Sequence, residues 1–136
     1  MAAGKQVGTF SGVPAFSNTR EFFSSKSTGY FASGDSVSAL DLSKGNASLW
    51  TATLPSAVVA GRVATANAVW EGTAGATLVA LNPATGAVLN TITLPSAPGG
   101  GGAYSGTPSD IGVGDNLLVA PTGSTITAFG STGSRF

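Results

Sequence analysis

Residues 37–50, Val-Ser-Ala-Leu-Asp-Leu-Ser-Lys-Gly-Asn-Ala-Ser-Leu-Trp, return in variant form at 78–90 and, shortened, at 125–136. A chain that copies one segment must build one supersecondary unit several times, because each copy carries the same apolar pattern and buries it against a neighbour. The units also open alike. Gly8-Thr9-Phe10-Ser11-Gly12-Val13-Pro14-Ala15 is echoed by Gly102-Ala103-Tyr104-Ser105-Gly106-Thr107-Pro108-Ser109, and faintly by Gly61-Arg62-Val63-Ala64. Successive openings stand about 45 residues apart, a spacing that marks propeller blades or solenoid units.

The local pattern is that of strands. Apolar and β-branched residues come in short runs broken by Gly, Pro, Asn and Ser, and nowhere hold helical spacing over three turns. Unit one, residues 12–56, is expected to place strands at 30–33 and 37–40 about Gly34-Asp35, with another at 48–54 after the turn Ser43-Lys44-Gly45-Asn46. Unit two, 57–96, repeats the meander at 67–71, 77–81 and 88–94, its turn Pro83-Ala84-Thr85-Gly86 having Pro to set φ and Gly to close it. Pro55 and Pro95 end the two outer strands at matching points. Unit three, 103–136, gives strands at 116–120 and 125–129 about Pro121-Thr122-Gly123-Ser124, then lacks its last strand. Residues 5–10 form a strand ahead of unit one that is able to pair with that gap, which would remove an open edge. The expected fold is all-β: antiparallel four-stranded propeller-type meander repeats, with a small β-barrel or β-sandwich as the alternative.

Composition narrows the function. There is no Cys and no His, which excludes disulfides, thiolate and imidazole metal sites, and the usual catalytic base. Six Lys and Arg balance six Asp and Glu without forming runs, so no footprint for nucleic acid is present. No apolar stretch approaches the length of a membrane span or a signal peptide. Ser and Thr are plentiful but have no base to activate them. The 96–102 segment, Ser-Ala-Pro-Gly-Gly-Gly-Gly, is a flexible connection lacking the Lys and Ser/Thr of a phosphate loop. Low charge leaves little repulsion between copies.

Ala39-Leu40-Asp41, Gly45 and Trp50 resemble the Ala-x-Asp, Gly, Trp signature of the pyrroloquinoline-quinone-type β-propeller repeat, found in quinoprotein dehydrogenases and in the propeller lipoprotein of outer-membrane assembly machinery. Unit two keeps Ala80 and Gly86 but has Asn82 for Asp and Asn90 for Trp; unit three keeps Ala128. The resemblance implies that the Ala, Gly and Trp dock neighbouring blades, the Trp lying across the next sheet. Family enzymes hold a quinone with Ca²⁺ and often an adjacent Cys pair, which this chain lacks. Asp35 and Asp41 read as turn residues; Asp110 and Asp115 are the one pair that could share a hard cation.

No catalytic, cofactor or metal residues are therefore expected. The aromatics read first as packing, with Phe10, Phe16, Phe22 and Phe23 the best cluster for an interaction surface. The leading expectation is a non-enzymatic structural module docking into a larger assembly such as a virion surface or tail, its partners being other proteins or copies of itself. A piece of a quinoprotein-like dehydrogenase or exported propeller is the second reading, and a carbohydrate-binding module the third. Three units cannot close a ring alone, because the outer two would each leave a face bare.

Overall fold

The computed structural model describes residues 20–25, 27–45, 47–65, 67–98, 111–115, 117–122 and 125–130. The described residues form three antiparallel sheets built on one plan. Blade 1 has strands β1 (Arg20–Ser25), β2 (Thr28–Ser33), β3 (Ser36–Asp41) and β4 (Ala47–Thr53) in that order. Blade 2 repeats it with β5 (Val58–Ala64), β6 (Val69–Thr73), β7 (Thr77–Leu81) and β8 (Val88–Thr93). Blade 3 has β9 (Gly112–Gly114), β10 (Leu117–Thr122) and β11 (Thr125–Gly130), three strands among the described residues. The sheets do not close into a barrel. One 3₁₀ turn, Leu42–Lys44, is the only helical element among those residues.

The repeat holds at the level of single hydrogen bonds. Leu40, Leu81 and Phe129 each occupy the fifth position of the third strand of their blade. Trp50 stands opposite Ala39, and Asn90 stands opposite Ala80. In both blades the register slips at the next step, between Ala39 and Leu40 and between Ala80 and Leu81. The bulge ends regular pairing where the chain must turn. The turn itself is an Asx turn in each case: Asp41 accepts from Ser43 N–H at 2.9 Å, and Asn82 accepts from Ala84 N–H at 2.8 Å. A carboxylate and an amide oxygen accept equally well there, which explains how Asn replaces Asp without loss of the turn. Gly45 (φ 64°) and Gly86 (φ 75°) then reverse the backbone in the left-handed region.

Each blade is tied to the next by the repeated Leu-Pro-Ser-Ala, residues 54–57 and 94–97. Leu54 N–H bonds Asp35 O, and Leu94 N–H bonds Ala76 O, both at 2.8 Å, so each outer strand ends on the hairpin of its own blade. Ala57 O accepts from Ala74 N–H of blade 2, while Val58 N–H reaches back to Gly34 O of blade 1, each at 2.8 Å. Further on, Pro98 pairs with Thr122 of β10.

Two cores result, one in each gap between blades. Tyr30, Ala32, Val37, Ala39 and Trp50 of blade 1 meet Val58, Val69, Val79 and Leu81 of blade 2. The opposite face of blade 2, with Trp70, Leu78 and Ala80, meets Ile111, Leu118 and Ala120 of blade 3, where Phe129 joins them. Blade 2 is thus covered on both faces, and β7 is buried along nearly its whole length.

The observed strands match the expected meander, with three differences. The strand expected at 67–71 is β6, two residues further on at Val69–Thr73. Pro121 and Thr122 belong to β10 rather than to a turn, since Pro121 sits opposite Ile126 and Thr122 opposite Thr125. The faint third opening, Gly61-Arg62-Val63-Ala64, is the second half of strand β5. The first strands β1, β5 and β9 were not legible individually: β1 and β5 carry pairing irregularities and β9 is three residues long, so none shows clean alternation. The other two openings and residues 5–10 lie outside the described residues, as do the closing strand and the unit boundaries drawn through them.

Candidate functional site

Among the described residues the most developed contacts are those between blades, and Trp50 is where they are most visible. Its side chain crosses from β4 to the turn of blade 2 that follows β7. There Nε1–H donates to the Pro83 carbonyl at 2.8 Å. The six-membered ring lies on Gly86, so close that a Cβ at that position would stand 2.5 Å from Cε3. Gly86 is therefore demanded twice, by its positive φ and by the indole above it. Gly45 has a similar φ but nothing within 4 Å of its missing Cβ. Tyr30 packs against the other side of the site, its ring centroid 6.0 Å from that of Trp50 and tilted by 44°. The docking role implied by the repeat motif is carried out here by Trp50, Pro83 and Gly86.

The other motif residues take equivalent places. Ala39 and Ala80 lie buried on the face that each blade turns toward its successor, and their small side chains let the next sheet approach. Ala128 has the same position on β11 but is exposed. Asn90, in the place of Trp50, is also exposed, and its Oδ1 accepts from Thr91 N–H at 2.8 Å. The indole in the core between blades 2 and 3 is instead Trp70, from β6.

Candidate ligand positions are sparse. Asp41 caps its turn, and the Ser43 hydroxyl that bonds it holds its carboxyl below the usual aspartate range. Asp35 sits in the β2–β3 hairpin turn. Asp115 is exposed with φ 47°, at a turn where Asp tolerates the left-handed region; Asp110 lies outside the described residues. Among the described residues no three acidic side chains gather around a common point. Glu71 is wholly buried on β6, a residue that sequence patterning did not single out because it breaks an apolar strand.

Trp50, Trp70 and Tyr30 are buried, so none of them offers a stacking face to a sugar. Phe22 and Phe23 lie on β1, while Phe10 and Phe16 lie outside the described residues. A half-open cavity of about 310 Å³ sits between the 55–56 linker and blade 2, lined by Thr73, Thr77, Val79, Val88 and Thr91. It has no charged lining, and the hydroxyls of Thr73 and Thr77 bond each other at 2.7 Å. Such a space can admit a small uncharged molecule but holds no group able to activate one.

The last feature is the open end. Leu118, Ala120 and Phe129 face blade 2, so strand alternation sends Leu117, Val119, Pro121, Ile126 and Ala128 to the opposite face. Ile126 is 74% exposed and Leu117 41%. Among the described residues β11 pairs with β10 alone, whereas its counterparts β3 and β7 pair on both sides.

No protein-family model matches the chain, and comparison with characterised proteins finds no sequence relative. Solved structures do resemble it in fold. The computationally designed Ika8 protein aligns over 83% of this chain with a TM-score of 0.65 and 17% identity. BamB from Moraxella catarrhalis aligns over 69% with a TM-score of 0.56 and 17% identity. The designed Ika4 protein aligns over 93% with a TM-score of 0.51 and 14% identity, covering 98% of its own chain. The alignments span 33% of the Ika8 chain and 28% of the BamB chain. The likeness establishes a β-propeller-like fold.

Proposed function

We propose that this chain is a non-enzymatic interaction module that docks into a larger protein assembly through the open end of its blade stack. The observation supporting it is Ala128, which stands bare where Ala39 and Ala80 are each covered by a following blade. An apolar sheet face of this kind costs free energy in water until something covers it. The chain carries no His or Cys, and no three of its described carboxylates gather at one point, which favours binding over catalysis. A virion surface, decoration or tail-associated protein is one setting that suits a low-charge module of this type. A photo-crosslinking residue at position 126, with a control at exposed Leu89 on β8, tests the reading in producing cells. Adducts from position 126 alone are expected; none from either position would sink it.

A second reading has its own support. The alignments cover about a third of Ika8 and less of BamB, and Trp50 docks as the quinone-type propeller repeat implies. On that reading the three blades are part of a longer propeller, quinoprotein-like or exported. Absorbance titration with the quinone, with and without Ca²⁺, separates the two: saturable, Ca²⁺-dependent binding favours the longer quinoprotein.

A further inference from the structure

We infer that the bare face of blade 3 is the seat for a blade of a second copy of this chain. This rests on the docking reading above and names its partner. The repeat frame itself argues for the occupant. On blades 1 and 2 the face carrying Ala39 or Ala80 is covered by another blade of the same type, with small side chains at the contact and aliphatic ones around it. Blade 3 presents the same frame: Ala128 stands opposite Val119, Ile126 opposite Pro121, and Leu117 shares their face. The seat continues an interface the molecule already makes twice, so its complement is a sheet of this repeat, and a second copy supplies one.

Charge and edge geometry agree. Strands β9, β10 and β11 contain no Asp, Glu, Lys or Arg, so nothing there selects a partner of opposite charge and nothing repels an identical chain. Edge strands that stay single are normally protected by charge, proline or a bulge; β11, Thr-Ile-Thr-Ala-Phe-Gly, has none of these, and its register with β10 is unbroken. An arriving sheet stacked on blade 3 would cover Ile126 and Ala128 together, since both lie on one face of β11.

Light scattering on the full chain over a roughly hundredfold concentration range tests this. The expected mass rises from 13.2 kDa to twice that value for a two-fold pair, or to higher multiples for head-to-tail addition. Ile126→Lys, which would bury an unpaired ammonium in the seat, shifts the association midpoint upward by more than about tenfold. Leu89→Lys leaves the midpoint in place. Circular dichroism of both variants checks that the sheets persist. A mass of 13.2 kDa at every concentration, or equal effects of the two substitutions, overturns the second copy as partner. Should position 126 still crosslink to other proteins in cells, the docking reading stands without self-association; if it makes no adduct at all, both fall.

Discussion

At the scale of single residues, Trp50 and Gly86 form one device. Trp50→Ala removes the indole from the gap between blades and is expected to cost about 3–5 kcal/mol, read from urea denaturation. Trp50→Phe keeps the ring over Gly86 but leaves the Pro83 carbonyl without its donor, for a loss nearer 1 kcal/mol plus some packing. The two glycines give a paired comparison. Gly45→Ala meets only the left-handed strain, about 1–2 kcal/mol. Gly86→Ala adds a clash with the indole, typically about 1–3 kcal/mol more, and should lower the unfolding midpoint further. That Gly86 closes a turn is legible in Pro83-Ala84-Thr85-Gly86. That Trp50, distant in sequence, rests on it is not, because which residue covers a turn depends on how one sheet lies on another.

At the scale of the turn that follows the third strand, Asp41 makes stability depend on pH. Its carboxyl is held below the ordinary value foremost by the Ser43 hydroxyl, with the Ser43 and Lys44 N–H groups and the Lys44 charge adding, and partial burial opposing. A depressed carboxylate contributes stability at pH values above the unfolded pKa of about 4 and loses it as pH falls through the lower folded value. Asp41→Asn should flatten that part of the urea midpoint against pH while preserving the turn, since Asn82 makes the same bond in blade 2. The order of elements was legible because hairpin signals such as Gly34-Asp35 act locally, within the residues that carry them. Strand β5 was hidden because its partner β6 pairs with it across two irregularities, and no alternation survives in the sequence.

At the scale of the whole molecule, three blades share two cores, and the outermost sheet ends in an uncovered face. Covering it should protect β11: amide hydrogen exchange there is expected to be fast in dilute solution and to slow with concentration, while β7, buried on both faces, stays slow throughout. Sequence alone determined the repeat, the second to fourth strands of its meander, the hairpin and Asx turns of the first two units and the exclusion of imidazole and thiolate chemistry, because these depend on residue type and on contacts within a few residues. Only the tertiary structure decided which face of each strand meets the next blade, that Trp50 bonds Pro83, that Glu71 is buried, and that Ala128 alone of its kind lies open. Those facts arise from sheet-on-sheet packing, where the partner of each side chain comes from a different copy of the repeat and no local pattern names it.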